Sequence, residues 1–375
     1  MAATTFILRA SFVVGCLALA GCATESDSDI VETNVVNIYN WADYIAPDTV
    51  DKFEAEYGIK VNYDVYDAGA VADVKLLTGN SGFDVIVHSN WRSSPLAPIG
   101  VFEKLDFSRL PNVVHLDPDM VEHLNIYKKV EDYMVPYHWG TTGYAWNADL
   151  VRERLPDHPM TTWDVLFDPE VISKLAGCGV SLLDDSSDTL SATFAYLGGE
   201  PEQYDVSDEN LAMAEAQLEK VRPYVRYFSN EKMMSDLPNK EVCVAMSWSG
   251  DFAQAQVRAE EAGIDIDLRY TVPNDGSRLW VDGIYISSDA PHRDNAYKFI
   301  NFMLRPDIAA ANANYTFYAN ANRSSWELMN PEVLDNPAIF PDALVWERIY
   351  ALPVTDVKRI RPLTRAFARV KSGMD

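Results

Sequence analysis

Aromatic and acidic side chains recur together along this chain. Trp41 and Tyr44 flank Asp43, Trp248 is followed closely by Asp251, and Trp280 by Asp282; Asp184, Asp185 and Asp188 cluster after the apolar run Val180–Leu183. Aromatic faces attract ammonium groups, at roughly 0.5–2 kcal/mol each depending on desolvation. Carboxylates add charge-assisted hydrogen bonds to the same groups. Such a set suits a slender organic polycation. A single tryptophan beside an aspartate reads equally well as core, but four groups at comparable strand-end positions favour a site. Rival chemistries leave no trace. The six histidines (His88, His115, His123, His138, His158, His292) form no metal-spaced pair, and there is no phosphate loop, dinucleotide fingerprint or Gly-x-Ser-x-Gly elbow. The expectation is therefore a binding protein, not an enzyme, with no cofactor and no metal.

The elements that must hold these residues alternate between strand and helix. Val35–Asn40 reads as a strand. Pro47 stands near the first turn of a helix over Asp48–Glu56, and Gly58 stops that helix where a left-handed residue is wanted. A strand at Lys60–Tyr66, a helix around Ala70–Thr78 and a buried strand at Gly82–Val87 follow. The β-α-β-α-β order predicts a parallel sheet with right-handed crossovers, whose ligands lie beyond the carboxyl ends of the strands. Those ends are Asn40–Tyr44 and His88–Trp91. A second α/β stretch runs from about Gly143 to Tyr270, with helices near Asn210–Lys220 and Ala253–Ala262. Val135–Gly143, rich in β-formers yet bracketed by proline and glycines, predicts a crossing between two lobes. A strand at Leu279–Ser287 then precedes helices at His292–Leu304 and Pro306–Asn312.

With 375 residues the chain exceeds what one core usually serves, so two lobes are expected. Its 56 Asp and Glu against 31 Lys and Arg give a net charge of −25. That repels nucleic acid and anionic membrane surfaces, lowers the prospect of a phosphorylated substrate, and attracts cations. At the N-terminus, Arg9 precedes an apolar run, Ser11–Ala20, too short to span a membrane but laid out as a secretory signal. Its end, Leu19-Ala20-Gly21-Cys22, resembles the lipobox of bacterial lipoproteins, which implies lipidation of Cys22; a plain signal cut near Ala23 is the alternative. Residues 22–33 read as a polar tether. Cys16 falls in the signal, which leaves Cys178 and Cys243 as an even pair in an oxidising compartment, predicted to form one disulfide in the second lobe.

Asn37-Ile38-Tyr39-Asn40-Trp41-Ala42-Asp43-Tyr44-Ile45-Ala46-Pro47 resembles the opening of mature putrescine- and spermidine-binding periplasmic proteins. Further matches, in order, are Gly82–Val85, Pro136–Gly143, Cys178–Ser181, Cys243–Ala245 with Trp248–Asp251, and Phe317–Asn322. The resemblance spans roughly residues 34–373. It implies an α/β, two-lobed, type II solute-binding fold, each lobe a mainly parallel sheet flanked by helices, with the ligand in the cleft between them. The expected division is a signal peptide at 1–21, a tether at 22–33, lobe 1 at 34–139 and 275–330, and lobe 2 at 140–274 and 331–375. The implied partners are a polyamine and the permease subunits of an ABC importer, with no nucleic acid, a periplasmic location, and membrane contact only through a lipid on Cys22. The family's aromatic box falls on Trp41, Trp248, Trp280 and Tyr318, closed by Tyr44. Its acids fall on Asp188, Asp251 and Asp282, with Asp43 and Ser89 offering further contacts. Position 188 departs from the putrescine binders' Glu. Trp91, Trp280 and the extra acid Asp185 favour the longer, triply charged spermidine over putrescine. A same-fold binder of another solute, or a polyamine sensor, remains the alternative; an arginine facing a carboxylate ligand would favour another solute, and Arg92 and Arg278 lie only near the matched motifs.

Overall fold

A computed structural model describes residues 34–124, 130–198, 207–352 and 356–373. The predicted signal, the tether and Cys22 lie outside the described residues. The first strands, β1 (Val35–Trp41), β2 (Lys60–Tyr66) and β3 (Val85–Ser89), lie parallel in the order β2-β1-β3. Helices Thr49–Tyr57 and Gly69–Leu77 make the crossovers, within a residue of the predicted positions. Gly58 takes φ 65° at the end of the first, as the sequence requires.

The chain then runs through β4 (Met134–Asn147), buried at every position. A second α/β run supplies β5 (Val180–Leu182), β6 (Tyr227–Phe228), β7 (Val244–Trp248) and β8 (Leu268–Thr271) before β9 (Ser277–Ile286) returns. The first part of β4 pairs with β9, from Met134 opposite Tyr285 to Thr141 opposite Leu279. Its second part pairs with β7 and β8. One strand thus carries the chain from one half of the sheet to the other, as its bracketing by proline and glycines suggested. The register shifts between Pro136 and Trp139, where a residue without an N–H is tolerated.

The parallel run recurs in the second half, where β5 lies between β6 and β7. The sheets are nevertheless mixed. Strand β9 returns to the first half without a crossover helix and so enters antiparallel to both β3 and β4. Cys178 and Cys243 form the predicted disulfide just ahead of the paired residues Val180 and Val244, with Cα atoms 5.5 Å apart. Two helices differ from the sequence reading in ways that matter for the site. Ser249–Glu261 begins four residues earlier than expected, at the end of β7, and Pro306–Thr316 continues past Asn312. Helices Asn90–Leu96 and Ser186–Tyr196 carried no prediction.

Candidate functional site

Three strand-to-helix turns converge. Strand β3 ends at Ser89, the cap of Asn90–Leu96; Trp248 ends β7 and caps Ser249–Glu261; Asp185 follows β5 and caps Ser186–Tyr196. The Asp185 carboxylate accepts from the backbone N–H groups of Ser187 (2.8 Å) and Asp188 (3.1 Å), as a helix start requires. Helix N-termini favour acids in the first turn, which is where Asp188 and Asp251 stand. Two left-handed residues turn further side chains inward. Asp43, at φ 51°, follows β1; Phe317, at φ 57°, ends helix Pro306–Thr316 and reverses the chain before Tyr318. Aspartate tolerates that conformation, whereas a phenylalanine there is strained.

These turns surround a cavity of about 790 Å³, counting its open mouth. Every predicted site residue lines it: Trp41, Asp43, Tyr44, Ser89, Asp185, Asp188, Trp248, Asp251, Trp280, Asp282 and Tyr318. Trp280 and Tyr44 both meet Tyr318 edge-on, with ring centroids 5.1 and 5.4 Å apart. Trp41 leans on Tyr66 at 4.4 Å. Gly140 permits this wall, because a Cβ there would stand 2.6 Å from the Trp280 ring. The Tyr44 hydroxyl, Ser89 Oγ and the indole N–H groups of Trp41 and Trp280 are buried without a protein partner among the described residues. They give the cavity polar contacts for whatever enters it.

By their partners its four buried acids are of two kinds, although burial raises the Asp188 carboxyl as it does those of Asp251 and Asp282. Asp185 is fully committed: Arg92 Nη2 donates to Oδ2 at 3.0 Å, and Ser187 Oγ joins the two backbone donors at Oδ1. Asp188 receives Arg278 Nη1 at 2.8 Å and Thr142 Oγ1 at 2.5 Å. Burial alone would raise the Asp185 carboxyl, but the Arg92 and Arg278 guanidiniums outweigh it and hold the group well below the usual carboxylate range. Asp251 and Asp282 form no ion pair among the described residues. Asp251 accepts the Tyr318 hydroxyl at 2.5 Å; the Tyr44 hydroxyl stands beside Asp282 without a hydrogen bond of normal length. Burial pushes each of these two carboxyls up to about 7. An ammonium group entering the cavity would find lone pairs on these two and would bring them back into the ionised range.

Residues 48–341 match the family described as bacterial extracellular solute-binding protein. The chain belongs to that family. This solute-binding protein is 39% identical over 356 residues to the putrescine-binding periplasmic protein SpuD of Pseudomonas aeruginosa, covering 95% of each chain. It is also 39% identical over 367 residues to the putrescine-binding periplasmic protein PotF of Escherichia coli, covering 98% of this chain and 99% of the relative. Among solved structures it resembles the spermidine/putrescine ABC transporter substrate-binding protein PotD of Streptococcus pneumoniae, at 26% identity and a TM-score of 0.71, covering 90% and 98% of the two chains. The fold is the α/β type II fold of such proteins, and members of this family bind a solute instead of turning one over.

Several features depart from the sequence reading. Arg92 and Arg278 line the cavity of this solute-binding protein and do not merely stand near it. Nothing local signals this, because the cavity carboxylates that they meet, Asp185 and Asp188, lie about ninety residues away in the chain. Asp185 supplies no extra uncommitted acid. Trp91 is buried off the cavity, with the Arg92 and Arg278 guanidiniums over its ring at 5.6 and 5.5 Å. Two of the three grounds for a spermidine preference thus concern residues already engaged by arginine. Asp184 turns away to pair with Lys371 at 2.5 Å. Asp67 and Glu231 were missed; they join Asp43 as exposed acids at the mouth.

Proposed function

We propose that this protein is the extracytoplasmic binding component of an ABC importer and that its solute is a linear polyamine of the putrescine and spermidine class. The observation that carries this reading is the pair of uncommitted buried carboxyls, Asp251 and Asp282, in a cavity walled by Trp41, Tyr44, Trp248, Trp280 and Tyr318. Each terminal ammonium meets one of the two acids, and the methylene chain lies along the rings. Ser89 and Asp43 add polar contacts. An anionic or neutral solute would leave both acids buried and unanswered, which is costly. Names of the similar proteins point the same way.

In this reading residues 34–139 and 275–330 form one lobe and 140–274 and 331–375 the other. Trp41, Tyr44, Asp282 and Tyr318 then belong to the first, and Trp248 and Asp251 to the second. A ligand touching both gains most when the lobes close, so binding raises the population of the closed form that the permease recognises. The apolar N-terminal segment supports export to the periplasm, with a lipid on Cys22 as the anchor. A thermal-shift screen against polyamines, amino acids and sugars tests the class. Ligand at one hundred times its dissociation constant adds about 2.7 kcal/mol of apparent stability. Stabilisation by polyamines alone is the expected result; stabilisation by amino acids or sugars alone would overturn it.

A further inference from the structure

Arg92 stands where the two proposed lobes meet. Its helix, Asn90–Leu96, belongs to the first lobe, and Asp185, which follows β5, to the second. Arg92 Nη2 donates to Asp185 Oδ2 at 3.0 Å, so this ion pair joins one lobe to the other. Both side chains are buried, and both line two spaces at once. One is the binding cavity. The other is a groove of about 1080 Å³, counting open solvent, that is also lined by Ala70 of helix Gly69–Leu77 and by Phe367 and Ala368 of the C-terminal helix Val357–Ser372. Each partner has further company within its own lobe. Arg92 Nη1 donates to Asp73 Oδ2 at 2.9 Å, and Gly69 leaves room for the side chain, because a Cβ there would stand 2.5 Å from Nε. Asp185 Oδ1 accepts the N–H groups of Ser187 and Asp188 whatever becomes of Oδ2.

We propose that the Arg92–Asp185 pair is a latch that holds the lobes closed without help from the solute. The inference rests on the two-lobe reading above and goes beyond it, because there closure draws on contacts that the solute makes with both walls. A buried ion pair that loses one partner outright strands the other, which is strongly destabilising. Here neither is stranded. When the lobes part, Arg92 keeps Asp73 and Asp185 keeps the start of helix Ser186–Tyr196, so the tie can break and form again with every opening. The cavity and the groove give the two side chains room to separate and water room to enter. Two further bonds cross the same seam without a solute: Arg278 Nη1 donates to Ser187 Oγ at 2.8 Å, and Asn230 Nδ2 to the Asp67 carbonyl at 3.1 Å. The second is exposed, where water competes, so the buried guanidinium fork carries most of the effect. Such a latch shifts the open–closed equilibrium of the empty protein and slows the release of a solute once it is held.

Asp185→Asn tests this while sparing the helix start, since asparagine caps as well as aspartate. With its oxygen on the cap, its amide nitrogen offers Arg92 no lone pair. Small-angle X-ray scattering of the full exported chain without solute reads lobe opening as a radius of gyration. The native value should lie close to the one reached with saturating putrescine. The variant's should lie above it and return to it when putrescine is added. Stopped-flow tryptophan fluorescence should find putrescine leaving the variant at least about fivefold faster, the lower end of ordinary coupling between sites. Asp184→Asn removes a neighbouring charge whose partner, Lys371, lies in the same lobe, and should leave the empty protein's scattering unchanged. Equal radii for empty Asp185→Asn and the empty native protein, both with native circular dichroism, overturn the proposal. An equal expansion in Asp184→Asn does so too, by tracing the effect to lost charge alone. Should Asp185→Asn fail to fold, Arg92→Lys gives the same comparison, because one ammonium cannot fork to Asp73 and Asp185 as a guanidinium does. The comparison of empty proteins needs no solute. If polyamines alter neither scattering nor fluorescence in any form, the polyamine reading has failed; if they do and the empty radii agree, only the latch has.

Discussion

Asp185 and Asp188, and Asp251 and Asp282, line one cavity and are the same side chain in nearly the same degree of burial: 8%, 3%, 7% and 6% exposed. They differ in what faces them. The first two accept hydrogen bonds from guanidiniums and hydroxyls; of the second two, Asp251 accepts one from the Tyr318 phenol and Asp282 has the Tyr44 phenol beside it, with no arginine hydrogen-bonded to either among the described residues. Burial is common to both pairs and so cannot distinguish structural acids from binding acids. Uncommitted lone pairs can. A buried carboxylate already held by arginine lends little further to a ligand, and removing it strands the arginine instead.

The sharpest separation of the two pairs should come from stability. Asp188→Asn takes from buried Arg278 the carboxylate that it hydrogen-bonds and should destabilise the fold by up to about 3–5 kcal/mol, the cost when a buried pair is broken. Asp282→Asn should do the reverse. Its folded value of about 7 lies above the ordinary 3.8, so the ionised group opposes folding, and the amide should stabilise the ligand-free protein at pH 8. With one pKa unit equal to about 1.4 kcal/mol, a gain of roughly 1–4 kcal/mol is expected. Calorimetric melting of both variants without ligand checks the opposite signs. Equal destabilisation would erase the distinction.

Binding should rank the pairs the other way. Asp251→Asn or Asp282→Asn removes the partner of an ammonium group and should weaken putrescine by about ten- to a hundredfold, or 1.4–2.7 kcal/mol. Isothermal titration measures it. Unchanged affinity in both variants would return these two acids to a purely structural role.

The difference between the pairs was legible in the sequence only in part. Trp41, Trp248, Trp280 and their neighbouring aspartates stand at the ends of strand-like runs, and the rule that ligands gather at such ends brought all of them to one cavity. The parallel run β2-β1-β3 was legible because helix and strand periods alternate cleanly there. The partners of Asp185 and Asp188 were not. Arg92 comes from the helix after β3 and Arg278 from β9, and the antiparallel pairing of those strands, from Val85 opposite Ile286 to Ser89 opposite Asp282, draws the two together. Counting carboxylates along a sequence therefore overstates the charge offered to a ligand, and the leaning toward spermidine rested on that count at Asp185 beside the breadth of Trp91 and Trp280.

Titration should expose the same contrast with a smaller effect. Asp251 and Asp282 at about 7 are mostly protonated in the free protein at pH 6, so a dication must displace their protons to bind. Affinity should rise by roughly two to three decades between pH 5.5 and 7.5 and level off above about 8, with protons released on binding. Calorimetry in buffers of different ionisation enthalpy counts those protons. Without ligand, the same two acids should cost stability as pH climbs from about 4 through 7. Asp185, held below its ordinary value, contributes stability above about 4 that is lost only as pH falls toward its folded value. Affinity that stays flat from pH 5.5 to 8 would mean that neither acid meets the ligand.

The smallest expected effect concerns the rings and not the charges. Gly140 lies where a Cβ would come within 2.6 Å of Trp280 and 2.7 Å of Ser249 Oγ. The indole also packs edge-on against Tyr318, 5.1 Å away between ring centroids, so Gly140→Ala must tilt Trp280 or push the start of helix Ser249–Glu261 outward. Tilting the indole touches no carboxylate, whereas moving the helix start would carry Asp251 with it. A cation over an indole is worth about 0.5–2 kcal/mol, which bounds the loss at roughly two- to thirtyfold for any amine, whatever its charge. Putrescine and spermidine affinities should both fall in Gly140→Ala, and tryptophan fluorescence should report the displaced ring. Unchanged affinities together with a displaced ring would mean that Trp280 does not meet the ligand.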